Sequence, residues 1–291
     1  MMMMWPAIAA ARAHDPATRT PFFVAQEGAS PCAVGSVAHA HLRALASWPQ
    51  WLHIEPHAVT LHCAESARSD AMAAMHDTLR AEGLIVAWRD EAFPLFTMRG
   101  DLVGVSIERA ATRFWGSLTL GAHCNGYVAD ARGRPEHVWI ARRSLTKATD
   151  PGKLDNLVGG GVPAGQSAHD TVVREAWEEA GLVPSQLQGL VRGRVVQLLR
   201  DIPEGLQREW IHVYDLALPV GLTPHNQDGE VAELSLHSLP QALALAASEQ
   251  MTVDASLVTL DFALRHRLLD DAAAQALAAE AAPLFDDWRA A

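Results

Sequence analysis

Apolar and polar positions along the 291-residue chain switch between two periods, and the switches divide it. Residues 39–48 and 70–82 carry apolar side chains at helical spacing, whereas residues 84–88 and 93–98 read as strands around the polar turn Arg89-Asp90-Glu91. After Phe114-Trp115-Gly116 the pattern becomes strand-rich: residues 118–122, 126–129 and, past a turn over 131–135, 137–141. A Gly/Pro-rich connection over 150–165 leads into a sharply bounded helix. Ser167 with Asp170 three residues on is a capping-box signature, and Gly181 followed by Pro184 ends the helix. Strands return at 190–199 and 210–218, then helical spacing at 239–248, 256–268 and 272–284. This order predicts an α/β (α+β) protein with a mixed sheet between helices. The expected division is a disordered or loosely packed N-terminus over 1–19, a smaller α+β domain over 20–112, a second domain over 113–270 and a C-terminal helix over 271–291.

Composition narrows the function. Lys and Arg number 23 against 34 Asp and Glu, a formal net charge of −11. Such a chain lacks the basic footprint of a nucleic-acid binder and repels anionic membranes, so neither partner is expected. No segment approaches the roughly 18 apolar residues of a membrane span. The apolar start has no preceding Lys or Arg, which speaks against a signal peptide. Cys32, Cys63 and Cys124 are odd in number and lack CxxC spacing, the pattern of reduced thiols rather than of disulfides or zinc. A cytoplasmic location is the expectation. In so acidic a chain, a phosphorylated ligand requires local cations or a bound metal.

The helix after Ser167 carries the chemistry. Val172, Val173, Ala176, Trp177 and Ala180 form an apolar stripe, and Glu175, Glu178 and Glu179 fall within one turn on another face. Three carboxylates so close repel one another. Arg174, one turn before Glu178, offsets part of that repulsion, and a hard divalent cation such as Mg²⁺ or Mn²⁺ offsets more. Taken alone, the glutamates read more readily as a solvated acidic face.

Other candidates stay open between two readings. Arg142 and Arg143 end a strand before the glycine-rich connection, as diphosphate contacts or surface charges; adjacent strand residues face opposite ways, so both do not point to one ligand. Lys153 is a similar contact or part of a turn. Glu230 and Glu233 are a metal ligand or general base, or solvated loop carboxylates. His123 and Asn125 read as structural, Trp115, Trp139 and Trp210 as core or as stacking platforms, and Glu108-Arg109 as an ion pair at the domain junction.

Gly160, five residues, Gln166, seven residues, and then Arg174-Glu175-Ala176-Trp177-Glu178-Glu179-Ala180-Gly181-Leu182 closely resemble the Nudix box, G-x5-E-x7-R-E-U-x-E-E-x-G-U with U apolar. Only Gln166 departs, standing where the box has Glu. The resemblance implies a Nudix fold in which Glu175, Glu178 and Glu179, with the Gly160 carbonyl, bind Mg²⁺ or Mn²⁺. One glutamate is available as base, Arg174 orients the glutamates, and the departure bears on the supporting role of position 166. It also implies hydrolysis of a small-molecule diphosphate and allows a homodimer.

Beyond the box, Ile107-Glu108-Arg109-Ala110-Ala111, His123-Cys124-Asn125-Gly126-Tyr127-Val128, residues 138–144, residues 151–158, Val213-Tyr214-Asp215-Leu216 and residues 226–231 are similar to one subgroup. These are the Nudix proteins related to the N-terminal part of fungal thiamine pyrophosphokinases, with plant and bacterial members. That similarity implies conversion of thiamine diphosphate, or oxidised forms such as oxythiamine diphosphate, to the monophosphate. Alternatives are another substrate such as NADH or ADP-ribose, and a non-catalytic binding module marked by Gln166.

Overall fold

The computed structural model describes residues 4–287. A short helix α1 (Pro6–Ala10) leads into a hairpin of β1 (Arg19–Gln26) and β2 (Ala29–Ala38). Then follow α2 (Leu42–Leu45), β3 (Leu52–Glu55), β4 (Ala58–Leu61) and α3 (Arg68–Ala81). These strands form a four-stranded sheet in the order β2-β1-β4-β3. Met72, Met75 and Leu79, at helical spacing on α3, join Phe22, Val24 and Leu61 in one core. A second hairpin, β5 (Ala92–Phe96) with β6 (Leu102–Glu108), adds Leu95, Val105 and Ile107 to it. Helix α4 (Ala111–Trp115) then carries the chain into the larger sheet, with Trp115 fully buried and its indole N–H bonded to His76 Nε2 at 2.9 Å.

That larger sheet is built around β7 (Leu118–Ala129). The other strands of the sheet are β8 (Pro135–Arg143), β9 (Leu154–Asp155), β10 (Val158–Gly161), β11 (Val191–Ile202), β12 (Gly205–Ala217), β13 (Val231–Ser238) and β14 (Phe285–Asp286). The helices of this part are α5 (Ala168–Ala180), α6 (Leu239–Ala246), α7 (Val253–Arg265) and α8 (Asp271–Ala281). β7 runs parallel to β12 along one edge. Its other edge is shared: β10 takes Gly121–Cys124 and β8 takes Tyr127–Ala129. Alternate side chains of β12 serve opposite faces. Ile211 and Val213 pack toward α6 and α7, while Tyr214 and Leu216 pack toward α5. The sheet therefore lies between helices, as its element order predicts.

Four expectations are corrected. Residues 84–88 are not a strand: the Leu84 and Ile85 amides both donate to the Leu79 carbonyl at 2.8 and 3.2 Å, closing α3, and Ala87 takes a φ of 59°. Residues 118–122 and 126–129 are one continuous strand, because β7 is buried on both faces and loses its alternation. Strands β1–β4, β9, β10 and β13 had no counterpart in the expected pattern. The N-terminus is not loose where described, since Trp5 is 3% exposed and its indole N–H bonds Ser256 Oγ of α7 at 2.8 Å. In the expected C-terminal helix, α8 covers only Asp271–Ala281 before β14, and residues 288–291, like 1–3, lie outside the described residues. Among the described residues no helix is long and apolar enough to cross a membrane.

Replacing Trp5 with Ala should lower unfolding stability by about 3 kcal/mol, the usual cost of emptying a buried aromatic site. Urea denaturation followed by circular dichroism measures it, and a change below about 0.5 kcal/mol would mean that the docked segment contributes nothing.

Candidate active site

The site lies where β10 meets α5. Val158-Gly159-Gly160-Gly161 pair with Cys124, His123, Ala122 and Gly121 of β7. Glycine is required here by what faces it. A Cβ on Gly160 would stand inside the Glu175 carboxylate, and one on Gly159 would press to 2.8 Å from the His123 ring. Helix α5 reaches this strand in a fixed register. The Asp170 amide donates to Ser167 Oγ at 3.1 Å, the Ser167 amide donates back to Asp170 Oδ2 at 3.1 Å, and Gly181 ends the helix with a φ of 65°. Val172, Ala176 and Ala180 bury one face of it. Glu175 and Glu179 are buried too, at 8% and 5% exposure, whereas Trp177, expected in the apolar stripe, is 49% exposed. A solvated acidic face is therefore ruled out for these two glutamates.

Burying two carboxylates one turn apart is unfavourable, and the neighbourhood records it. Burial, then repulsion from Glu175, pushes Glu179 up to about 8. Burial also raises Glu175, against the opposing pull of Arg174. Compensation comes from fixed donors. The Gly159 amide donates to Glu179 Oε2 at 2.8 Å, and Lys147 Nζ lies 3.9 Å from Glu179 Oε1. Arg174 bridges Glu175 Oε1 at 2.9 Å and Glu178 Oε2 at 2.7 Å. Gln166 Oε1 accepts from Arg174 Nε at 3.5 Å and Thr171 Oγ1 at 3.3 Å, so the amide in the box's carboxylate position still anchors the arginine. Lys147, itself buried and pushed down by that burial, also donates to Glu230.

A cavity of about 240 Å³ opens beside these groups, lined on this side by Gly159–Gly161, Glu175, Lys147 and Glu230. Across it, Arg143 Nη1 bonds Asp155 Oδ2 at 2.8 Å. Arg113 bonds Glu209 at 3.0 Å, and Gln207 Nε2 donates to Glu209 at 2.9 Å and to Asp254 at 3.1 Å. Burial and the Glu209 charge push Asp254 up to about 6, while burial of Glu209 is outweighed by Arg113 and the Gln207 bond together, which hold it below its usual range. Glu209 Oε1 and the Gly160 carbonyl oxygen lie 3.0 and 3.7 Å from where a Cβ on Gly121 would stand, so both face one point of the wall.

His123 also lines the cavity, and its tautomer is set by a buried chain. Burial raises the Asp215 carboxyl, but bonds from His266, Arg265 and Asn125 outweigh it and keep Asp215 ionised. Asn125 Nδ2 donates to Asp215 Oδ1 at 3.1 Å, and Asn156 Nδ2 donates to Asn125 Oδ1 at 3.1 Å. Asn156 Oδ1 is left to accept from His123 Nδ1 at 3.0 Å. An ionised carboxylate only accepts, so each amide orientation follows from the one before, and His123 Nδ1 carries a proton.

The glutamates, Arg174 and Gly160 thus come together as their spacing predicts. Arg143 and Glu230 reach the cavity. Arg142 does not: it is exposed, donating to the Gly152 carbonyl at 3.1 Å and facing Glu233 at 3.5 Å, as strand alternation requires. Nor does Lys153, which pairs with Asp150 at 3.2 Å in a turn. Arg109 pairs with Glu91 at 2.8 Å instead of Glu108, whose carboxylate accepts the Arg89, Glu91 and Ala110 amides. Trp115 and Trp139 are core residues. Sequence reading missed Lys147, Asp155, Glu209 and Asp254, none of which stands in a local motif. Among the described residues no three His, Cys, Asp or Glu side chains already converge on a metal position, and Arg174 holds Glu175 and Glu178. In kind, the set fits a hard divalent cation: buried carboxylate oxygens short of positive charge, beside a backbone carbonyl.

Residues 122–256 match the family model described as NUDIX domain, and residues 5–118 match the Domain of unknown function (DUF4743). Nudix hydrolase 20, chloroplastic, of Arabidopsis thaliana is 36% identical over 200 residues, covering 68% of this chain and 53% of that protein. An uncharacterized protein of Saccharomyces cerevisiae is 32% identical over 194 residues, 62% of this chain and 56% of that one. The chain spans little more than half the length of these relatives. A crystal structure from Deinococcus radiodurans superposes with a TM-score of 0.45 at 24% identity, over 59% of this chain and 99% of that one. With the box intact but for Gln166 and the family model matched across the strands and helix that carry it, residues 122–256 carry a Nudix domain.

Proposed function

We propose that this protein hydrolyses the phosphoanhydride of a small organic diphosphate with Mg²⁺ or Mn²⁺, and that thiamine diphosphate or its oxidised analogues are the substrate class. The observation that carries the reaction is the burial of Glu175 against Gly160 at the wall of a cavity that also receives Arg143 and Lys147, with Glu179 buried behind it on the Gly159 amide. Glu175, Glu178 and Glu179 and the Gly160 carbonyl would hold the cation, which supplies charge neutralisation of the diphosphate and acidification of the attacking water. Arg174 keeps two of the glutamates in place, and Arg143 and Lys147 face the phosphate oxygens. Water adds across the anhydride, so thiamine diphosphate would yield the monophosphate and inorganic phosphate. The substrate class rests on similarity to the thiamine-related subgroup. It is supported by the Asp254 carboxylate in the cavity lining, an acceptor that suits an amino-bearing nitrogen heterocycle.

Product analysis with magnesium, comparing thiamine diphosphate, oxythiamine diphosphate, NADH and ADP-ribose, tests this reading. Monophosphate should appear fastest from a thiamine form. Preference for NADH or ADP-ribose would keep the reaction and discard the substrate, and no turnover of any would favour a binding module. Glu178→Gln and Glu179→Gln should each lower turnover at least about 100-fold without unfolding the chain. Activity surviving both single changes would overturn the metal assignment.

Acidity gives a separate check. With its folded-state pKa at about 8 against 4.5, Glu179 binds more proton folded than unfolded, so metal-free stability falls as pH rises through that window. Magnesium binds the ionised carboxylate. Its gain in thermal midpoint should therefore grow from about pH 6 to about pH 9 in the wild type and flatten in Glu179→Gln. A gain independent of pH in the wild type would remove Glu179 from the cation's ligands.

A further inference from the structure

The cavity has a second wall that the Nudix domain does not supply. Hairpin β5–β6, within the stretch matching the domain of unknown function, lies directly on the glycine strand. The Ala164 amide donates to the Ala92 carbonyl at 2.9 Å, and the Phe93 ring stands 2.7 Å from where a Cβ on Gly161 would be. From this hairpin and the turn before it, Arg89 and Arg109 enter the cavity lining.

The two arginines are held differently. Arg109 is fixed by Glu91 at 2.8 Å and lies 5.4 Å over the Phe93 ring, close enough for its charge to lower the Glu175 carboxyl. Arg89 is fixed only through its backbone, whose amide donates to Glu108 Oε1 at 3.0 Å. Its guanidinium donates no hydrogen bond to any described residue. Half-buried, it feels burial first and then repulsion from Arg109 and Arg143, which together push it below the usual arginine range. The carboxylates nearest along the chain are engaged, Glu91 by Arg109 and Glu108 by three backbone amides. The Glu91 and Glu108 charges offset part of that repulsion without bonding the guanidinium, so the fold holds a charged fork of five N–H donors open to an incoming anion at the cavity.

We propose that Arg89, positioned by the N-terminal domain and backed by Arg109, receives a phosphate oxygen of the diphosphate, so that the domain of unknown function completes the Nudix active site. Naming the anion a diphosphate rests on the hydrolytic reading above. The placement of Arg89 does not. Arginine suits the task because its planar fork matches two phosphate oxygens at once, which a lysine at the same place cannot do.

The test separates the two. Binding of methylenediphosphonate, which is not hydrolysed, is measured by calorimetry on the full chain at fixed magnesium for wild type, Arg89→Ala and Arg89→Lys. Arg89→Ala should bind at least about tenfold more weakly and Arg89→Lys fall between, with unchanged thermal midpoints because the side chain makes no bond in the fold. In turnover of the best diphosphate, KM should rise in the same ratio while kcat changes less. Equal binding by wild type and Arg89→Ala, or no binding by the wild type, would overturn the proposal. Binding lost in Arg89→Ala in a protein that turns over no diphosphate would sink the hydrolytic reading and leave the clamp standing.

Discussion

Two carboxylates, Glu175 and Glu179, are buried one turn apart under a strand of glycines, and the rest of the site answers to that one electrostatic constraint. Like charges in a poorly solvated place are tolerated only with positive charge or donated hydrogen bonds close by. The chain meets the need locally with Arg174 and the Gly159 amide, and from farther away with Lys147. It meets it incompletely, since Glu179 stays protonated to about 8. Such a cluster would be a defect in a structural core. Beside a cavity it is a standing affinity for a cation, and the glycines exist because any side chain there would fill the space the carboxylates occupy.

The parts of the molecule legible in the sequence are those written locally. The capping box at Ser167, the glycine stop at Gly181 and the box spacing each depend on residues within one or two turns, and they fix α5 and its glutamates correctly. The face on which the glutamates lie was not legible. Helical periodicity puts Val172, Ala176 and Trp177 on the apolar side, and nothing local reveals that Gly160 makes room for Glu175 while Trp177 faces outward. Strands β3 and β4 escaped for a related reason, since they are four residues each and β4 pairs with the distant β1. Residues 84–88 have strand composition yet close a helix, because contact with Leu79 overrides propensity.

The remaining site residues were hidden because each takes its meaning from a partner distant in sequence. Lys147 faces Glu230, Arg113 faces Glu209, and His123 acquires a defined tautomer only through Asn156, Asn125 and Asp215. That chain ends on Arg265 and His266 of α7 and its C-terminal boundary, so the His123 ring is anchored on the face of the sheet opposite α5. A buried network satisfied at every member is rigid, and that rigidity fixes the orientation of the ring at the cavity wall.

The distribution of these groups also orients a ligand. Arg89 and Arg109, and the carboxylates suited to a metal, cluster where β10, α5 and the β5–β6 hairpin meet, whereas His123 and Asp254 lie on the wall formed by β7 and the start of α7. For the proposed substrate, a diphosphate placed the other way round would set its oxygens against the Asp254 carboxylate and leave Arg89 facing a heterocycle, at a cost in unpaired polar groups on both sides. The same reasoning explains why the N-terminal domain sits on the glycine strand instead of hanging from a linker. Phe93 occupies the space that Gly161 leaves open, and that contact is what carries Arg109 to within electrostatic reach of Glu175.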